Sequence, residues 1–404
     1  MTAGHIAMLL GNGYRPDPRV LKEARTLTQA GYRVTVIAWD REGDLPAREE
    51  KDGLIVRRVQ NVRSSYGAGA RQMLRLPRFW RQAWRMLNQE QPDAVHCHDF
   101  DTLIPGLLWA RLHRRPVVYD AHDYYADMQA PRLHGLAGEF LVSLIEVTDQ
   151  TLSRWVDAVI TVDERIARRY HNPRTVIIGH YPPLDFAPAE SRAGDGPEDG
   201  QPTELSRSVP GAFASDASDQ TLIYAGRLSM DRGLLVVAQV MNELALRGIY
   251  PRLRLLGTWT SPAEQRAFEE AMAGLEDQLD DRGWVPFEQV SAALSRADVA
   301  LAVLQPVPRY TKAVPVKLME YMACGLPVVI SDFPYNRALV EDAQCGLLVD
   351  PEDVEGVTDA VAHLLIDRRD AAILGRNGAA AFRDRYNWEA LAPRLLALYD
   401  SLLT

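Results

Sequence analysis

Ala313 to Ile330 reads AVPVKLMEYMACGLPVVI, and the order of residue types in this stretch decides the fold. Pro315 and Val316 suit the first positions of a short helix, with Lys317, Leu318 and Glu320 in its first turn or so. Gly325 stops that helix, and Pro327 leads into the buried apolar run Val328, Val329 and Ile330. The unpaired backbone N–H groups of a helix start form an anion site, and Lys317 adds a full positive charge beside them. A diphosphate fits there. One turn in, the Glu320 carboxylate can accept two hydrogen bonds from a vicinal diol such as a ribose. Loop, helix and strand in this order predict the carboxyl edge of a parallel sheet, where open α/β folds bind nucleotides.

The same alternation starts the chain. His5 to Leu10 reads as a buried strand and Gly11-Asn12-Gly13 as a tight turn. Asp17 then caps a helix with Pro18 at its first position, carrying Val20, Leu21, Ala24 and Leu27 on one face as far as Gly31. Tyr32 to Trp39 is the second strand, which completes a Rossmann-like unit. The third glycine of the dinucleotide fingerprint falls at Pro16, among Arg15, Asp17 and Arg19, so the turn does not read as an NAD site.

Further on, Pro92 to His98 is a strand and about Thr102 to His113 a helix. Asp99-Phe100-Asp101 imitates a metal-binding Asp-x-Asp, but two carboxylates at a helix start read as caps, and no metal is expected. Pro116 to Tyr119 is a strand followed by Asp120-Ala121-His122-Asp123. His122, at a strand's carboxyl end, is placed for ligand contact; the alternative is a structural histidine fixed by Asp120 or Asp123. A long helix over Leu136 to Trp155 and short strands over Ala158 to Val162 and Thr175 to Ile178 lead to His180-Tyr181-Pro182-Pro183. The expected domains are 1–185 and 220–385. They are joined by a flexible insertion over 186–219, rich in Gly, Pro, Ser, Asp and Glu, and followed by a final helix within 386–404.

The apolar fraction of 47% and charged fraction of 25% are those of an ordinary globular protein, and 404 residues suffice for two α/β domains. The run Ile6 to Leu10 is too short for a signal-peptide core. Cys97, Cys324 and Cys345 lack metal-ligand spacing and read as buried thiols in a reducing cytoplasm. The formal net charge of −9 does not suit nucleic acid as a partner, yet the chain up to Asp185 is slightly basic. From Leu54 through Gln89 there is no acidic residue, while eight arginines fall inside. Within 71–87, Phe79, Trp80, Ala83, Trp84 and Leu87 share one helical face with Arg78, Arg81 and Arg85 on others. Two readings stay open: an interfacial helix on an anionic membrane, worth on the order of 1 kcal/mol per basic residue, or core aromatics with a solvated basic face.

PVKLMEYMACGLPVV resembles the donor-site signature of retaining glycosyltransferases of the GT-B fold, specifically glycosyltransferase family 4 (glycosyl transferases group 1). Ala225-Gly226-Arg227-Leu228 followed by Asp231-Arg232-Gly233 resembles that family's phosphate-clamp segment. With the N-terminal features, the similarity covers nearly the whole chain. It implies an α/β GT-B architecture: two Rossmann-like domains with parallel sheets facing across a cleft, and a C-terminal helix over about Trp388 to Leu403 crossing back to the first domain. It also implies transfer of a hexose-type sugar from a UDP- or GDP-sugar to a glycan or glycolipid acceptor with retention of configuration. No cofactor or metal would be required beyond the nucleotide-sugar co-substrate, and the enzyme would work in the cytoplasm, peripheral at the inner face of the membrane if the interfacial reading of 71–87 holds.

The resemblance places catalytic roles on His122, Arg227, Arg232 and Glu320. Donor contacts fall on Gly13, Arg227, Arg232, Trp284, Val285, Val316, Lys317, Leu318 and Glu320. Acceptor contacts fall on Asn12, Arg15, Asp17, Arg19, His98, Asp99 and Asp123. Trp284 stacks on the base or packs under the sheet. This chain departs from the pattern at three places. Lys312 stands where members often carry a first glutamate, Arg232 where lysine is usual, and His180 where asparagine is common. Two other functions remain compatible with these residues: a non-catalytic nucleotide-sugar-binding subunit, and a GT-B nucleotide-sugar epimerase.

Overall fold

The computed structural model describes residues 4–15, 17–51, 53–64, 74–129, 135–188, 220–314 and 316–403. The chain divides into two compact units, Met1–His180 with Leu391–Thr404, and Tyr181–Ala390. The division falls at His180, a few residues before the expected 185, because Phe186 and Ala187 are buried in the core of the second unit, with Tyr181 and Leu184 packed against it. Most of the expected insertion, 189–219, lies outside the described residues, as do 71–73 of the basic stretch.

The first unit runs β1 (His5–Leu10), α1 (Pro18–Gln29), β2 (Arg33–Trp39), β3 (Arg48–Lys51), β4 (Leu54–Val59), α2 (Leu76–Glu90), β5 (Ala94–His98) and α3 (Phe100–His113). It continues with β6 (Val117–Ala121), α4 (Tyr125–Gln129), α5 (Gly135–Ser153), β7 (Ala158–Thr161), α6 (Glu164–Ala167) and β8 (Thr175–Ile177). The strands form one sheet in the order β3-β4-β2-β1-β5-β6-β7-β8. All described pairings are parallel except that of β3 with β4. Asp17 caps α1 by accepting from the Arg19 backbone N–H, with Pro18 next to it, as expected.

Sequence reasoning did not find β3 and β4. β3 is the charged sequence REEK at the sheet edge, where polar side chains discourage pairing with another chain, and it carries no apolar alternation. With it goes the expected unbroken basic face. Arg58 is buried, donating to the Gly13, Tyr14 and Pro46 carbonyls and pairing with Glu49 at 2.8 Å, while Arg57 meets Glu90 at 2.7 Å. Both acids lie outside the acid-free stretch and reach it only through the fold.

On α2 the aromatic face belongs to the core. Phe79 and Ala83 are buried, Phe79 stacks on Trp39 at 4.9 Å, and the Trp80 indole donates to the Asp101 carbonyl at 2.7 Å. Arg78, Arg81 and Arg85 remain exposed. The aromatics are therefore spent on packing, and no helix among the described residues is long and apolar enough to cross a membrane.

The second unit runs β9 (Thr221–Ala225), α7 (Leu234–Leu246), β10 (Arg252–Leu256), α8 (Pro262–Ala271), β11 (Leu279–Asp281), α9 (Phe287–Leu294), β12 (Val299–Ala302) and α10 (Pro308–Thr311). Then follow α11 (Val316–Ala323), β13 (Val328–Ser331), α12 (Pro334–Ala343), β14 (Gly346–Val349), α13 (Val354–Ile366) and α14 (Arg368–Asp384). The strand order is β11-β10-β9-β12-β13-β14, with every described pairing parallel. The chain leaves β9 toward β10 and β11, then returns to its other side with β12. This reversal opens a crevice at the carboxyl edge. The last helix, α15 (Trp388–Leu403), starts in the second unit and ends in the first. Within the first unit its Arg394 donates to the Ile177 carbonyl, and Asp400 accepts from the Tyr32 hydroxyl.

Asp149 on α5 is fully buried and accepts from the Tyr170 hydroxyl at 2.9 Å; burial pushes its pKa up to about 6. A carboxyl whose folded pKa is raised contributes fully below its unfolded pKa near 3.8 and loses that contribution as pH rises through about 6. At pH 8 the buried charge costs about 3 kcal/mol, taking 1.36 kcal/mol per pH unit. Asp149→Asn keeps an acceptor for Tyr170 without the charge. It should raise the melting temperature at pH 8 and change it little at pH 4, as read by a thermal-denaturation series; equal shifts at both pH values would refute the assignment.

Candidate functional site

In the second unit a cavity of about 530 Å³ opens at the carboxyl ends of β9, β10 and β11 and is bordered by the start of α11. Its size is that of a ligand pocket. Ala225, Gly226 and Arg227 come from β9 and its following turn, Gly257 and Thr258 from the turn after β10, Trp284 and Val285 from beyond β11, and Val316, Lys317 and Glu320 from α11. Trp284 is 72% exposed and lines the cavity, which settles its two readings against packing under the sheet.

Two glycines create the space. Gly226 has φ +128°, and a Cβ there would stand 2.9 Å from Cε of Lys317. A Cβ on Gly257 would overlap the Gly226 carbonyl at 1.7 Å. Lys317 is thus able to lie across the β9 turn, with Nζ 3.7 Å from the centre of the Tyr224 ring. Its buried Nζ has no hydrogen-bond partner among the described residues. Burial and the Arg232 charge lower its pKa well below that of a free lysine, opposed by Glu320. An ammonium in this setting gains more from an arriving anion than an exposed lysine does.

Of the expected cations, Arg227 and Lys317 line the cavity, whereas Arg232 does not. Its guanidinium carbon is 5.3 Å from the Tyr310 ring centre, and its charge acts on Lys317 and Tyr224. Arg232 therefore acts on the cavity through its field. Leu318 is fully buried in the core, so its side chain is not a donor contact; one helical position from Lys317 turns it inward. Lys312 is exposed and is not part of the cavity lining. Trp259, Thr260 and Phe287 line the cavity without having been anticipated; strand-end position after β10 was the signal for the first two.

The first unit carries a second concentration of polar groups. His96 and His98 alternate on β5, and Asp120 on β6 and His122 just past its end continue the same alternation, so the four gather at one face, with His98 paired opposite Asp120. Glu23 from α1 and Tyr399 from α15 join them, and every one of the six is at most 2% exposed. His98 Nδ1 lies 2.9 Å from His122 Nε2, and His122 Nδ1 lies 3.0 Å from His180 Nε2. Both ring nitrogens of His122, the favoured catalytic residue, are occupied by other histidines. Burial lowers the pKa of His122 strongly, that of His96 to about 4, and that of His180 to about 3 with help from Lys22 and Arg19.

Glu23, His96, His98 and Asp120 each offer a ligand atom, and those atoms lie within 4.8 Å of one another, a spacing that suits one metal ion. The rings do not. His96 and His98 are stacked at 4.2 Å with planes 13° apart, so their in-plane lone pairs run in separate parallel planes and do not meet at one ion.

The remaining expected acceptor residues scatter by role. Asn12 bonds the Asp17 carboxylate and the Tyr14 N–H, and Arg19 pairs with Asp17 at 2.8 Å. Arg15 is exposed and pairs with Glu42 at 2.8 Å and with Asp44. Asp123 is exposed, while Gly13 is buried, its carbonyl taken by Arg58. Asp99 and Asp101 are not side-chain caps of α3, contrary to expectation. Asp99 has φ +63°, and Asp101 faces Arg41 at 3.6 Å in space that a side chain at Gly11 would fill. Burial raises the pKa of Asp101 to about 6, opposed by Arg41.

Two parallel α/β units, the second with a cavity at its strand-order reversal, define the GT-B class of fold. Sucrose-phosphate synthase from Thermosynechococcus elongatus superimposes with a TM-score of 0.74 at 20% identity, over 98% of each chain. HepE of Anabaena, solved in complex with UDP, superimposes with a TM-score of 0.68 at 16% identity over the full length of both. Family signatures agree: "Glycosyltransferase Family 4" matches residues 19–178 and "Glycosyl transferases group 1" residues 219–367. The chain belongs to glycosyltransferase family 4.

WcaL of Escherichia coli K12, a provisionally named colanic acid biosynthesis glycosyltransferase, is 28% identical over 206 residues, 49% of each protein. The D-inositol 3-phosphate glycosyltransferase of Corynebacterium efficiens is 25% identical over 334 residues, 77% of this chain and 72% of that one. The alignments with the first of these curated relatives span about half their length.

Gly257→Ala should cost about 2 to 4 kcal/mol, because backbone and not a flexible side chain blocks the new Cβ. Gly226→Ala also strains a backbone at φ +128° but meets only the lysine side chain, so it should cost less and displace Lys317. Denaturant midpoints for the two variants test this ordering; the reverse order would show that the turns pack differently.

Proposed function

We propose that this protein is a retaining hexosyltransferase that passes a sugar from a UDP- or GDP-sugar to a glycan or glycolipid acceptor in the synthesis of cell-surface polysaccharide or glycoconjugate. The observation that carries the proposal is the second unit's cavity, where the exposed Arg227, the buried Lys317 ammonium, Glu320 and the open indole of Trp284 converge. An indole suits a base, a carboxylate suits the ribose diol, and two cations with a helix start suit a diphosphate. Three relatives and neighbours supply context: a GDP-mannose:cellobiosyl-diphosphopolyprenol alpha-mannosyltransferase of Xanthomonas campestris, WcaL, and HepE with UDP-glucose.

As the glycosidic bond breaks, negative charge grows on the diphosphate, and fixed cations that favour it lower the barrier directly. Arg227 and Lys317 act by contact and Arg232 through its field, so on this reading the leaving group is stabilised without a metal. Retention follows from attack on the face the diphosphate leaves, with a departing phosphate oxygen taking the acceptor proton. On this reading the enzyme meets its donor in the cytoplasm, and the exposed Arg78, Arg81 and Arg85 of α2 draw it toward an anionic membrane.

A nucleotide-sugar panel read by thermal shift should single out one UDP- or GDP-sugar, and Lys317→Ala or Arg227→Ala should lower turnover with it by about two to three decades. No stabilisation by any member of the panel would sink the proposal. Because the Lys317 pKa is depressed in the empty cavity, diphosphate binding should take up a proton there. UDP affinity should therefore weaken with rising pH above that depressed pKa, and Lys317→Met should flatten the dependence in calorimetry.

A further inference from the structure

The polar cluster of the first unit poses a proton-counting problem that its geometry solves. Asp120 Oδ1 and Oδ2 and Glu23 Oε2 are buried without a conventional donor among the described residues. Two buried carboxylates with oxygens within 4.8 Å of each other satisfy each other only when one keeps its proton. Asp120 is the better placed to stay charged. Its Oδ2 lies 3.6 Å from His96 Nε2, 3.4 Å from His98 Nδ1 and 3.5 Å from His122 Nε2, so three imidazoles surround it. Glu23 has one such neighbour, His96 Nε2 at 3.8 Å.

The ladder His98, His122, His180 has its own arithmetic. Each close nitrogen pair holds one proton, and a neutral imidazole has only one to give, so all three rings must point their N–H groups the same way. The two ladder ends, His98 Nε2 and His180 Nδ1, are the buried nitrogens left without partners. Two arrangements meet this count: the protons run from His180 toward His98, with all three rings Nε2–H, or from His98 toward His180, with all three Nδ1–H.

We propose that Glu23 is a neutral carboxylic acid donating to Asp120, and that this pair and the histidine ladder form one proton-sharing unit that locks His122 in a single tautomer shared with His98 and His180. Glu23, Asp120 and His98 are positioning residues for His122. The charged and titratable groups around the unit are Asp17, Arg19 and Lys22 from α1, Asp99 and Asp123 from the strand ends, and Tyr399 from α15. The Tyr399 hydroxyl donates to His96 Nδ1 at 2.9 Å, which leaves the His96 Nε2–H facing Asp120. The directions of the carboxyl shifts agree: burial and the Asp120 charge raise Glu23, while Asp120 is held low, against its own burial, by the imidazoles around it. The unit depends on no ligand and stands or falls separately from the donor chemistry.

The test is made on the full-length protein labelled with ¹⁵N-histidine. At pH 7, His98, His122 and His180 should each show one protonated and one bare nitrogen, the protonated one being Nε2 in all three rings or Nδ1 in all three. Infrared difference spectra between wild type and Glu23→Gln should contain a protonated carboxyl band lost in the variant. Glu23→Gln, which keeps a donor to Asp120, should preserve the histidine tautomers, whereas Asp120→Asn should change them. A mixed set of tautomers among the three rings, or a carboxylate rather than a carboxyl band, would overturn the proposal. So would a stoichiometric Zn²⁺ or Mn²⁺ bound by wild type and lost in Glu23→Gln. The wild-type spectra decide the tautomer even if a variant fails to fold.

Discussion

Lys317 is held against the ring of Tyr224 with no hydrogen-bond partner among the described residues, in space that exists because residues 226 and 257 have no side chain. A buried cation without a counter-group is unfavourable on its own. The aromatic face offsets part of that cost, and the Arg232 charge adds to it. The arrangement stores a preference for an anion in the empty protein. The rest of the second unit serves it: parallel strands bring four separate segments to one edge, and the reversal between β9 and β12 keeps a helix from closing over it.

The first unit resolves a different electrostatic problem by different means. It encloses two carboxylates and four histidines, most of them within a few ångströms of Asp120. Solvent is absent, so neutrality is reached by sharing protons and by Lys22 and Arg19 nearby. The cost of this cluster is carried by the parallel sheet and by α1 and α15, which cover its face. His122 gains rigidity from it and gives up its free nitrogens.

Much of this was legible along the chain. The bounds of β1, β9 and α15 and the start of α7 followed from apolar runs closed by Gly, Pro or a cap; Lys317 and Glu320 were placed by their position at a helix start, and Trp284 by the family resemblance. What was missed has a common cause. β3 carries no apolar period, so only its partner β4 makes it a strand. Arg57 and Arg58 looked like an uncompensated basic face because Glu90 and Glu49 lie outside the window that was read. The α2 aromatics suited a membrane and a core equally, since both reward the same helical stripe.

Local pattern, by itself, determined the α/β alternation, the position of the helix start that borders the cavity, and the family. These depend on neighbours within a turn or a strand, where periodicity and capping act. Only tertiary structure decided that Arg232 stands outside the cavity lining, that Leu318 faces the core, and that Glu23, His96, His98, Asp120, His122 and His180 form one unit. Burial and charge pairing belong to residues brought together from distant parts of the chain, and their strength depends on separations of a few ångströms that no sequence spacing encodes.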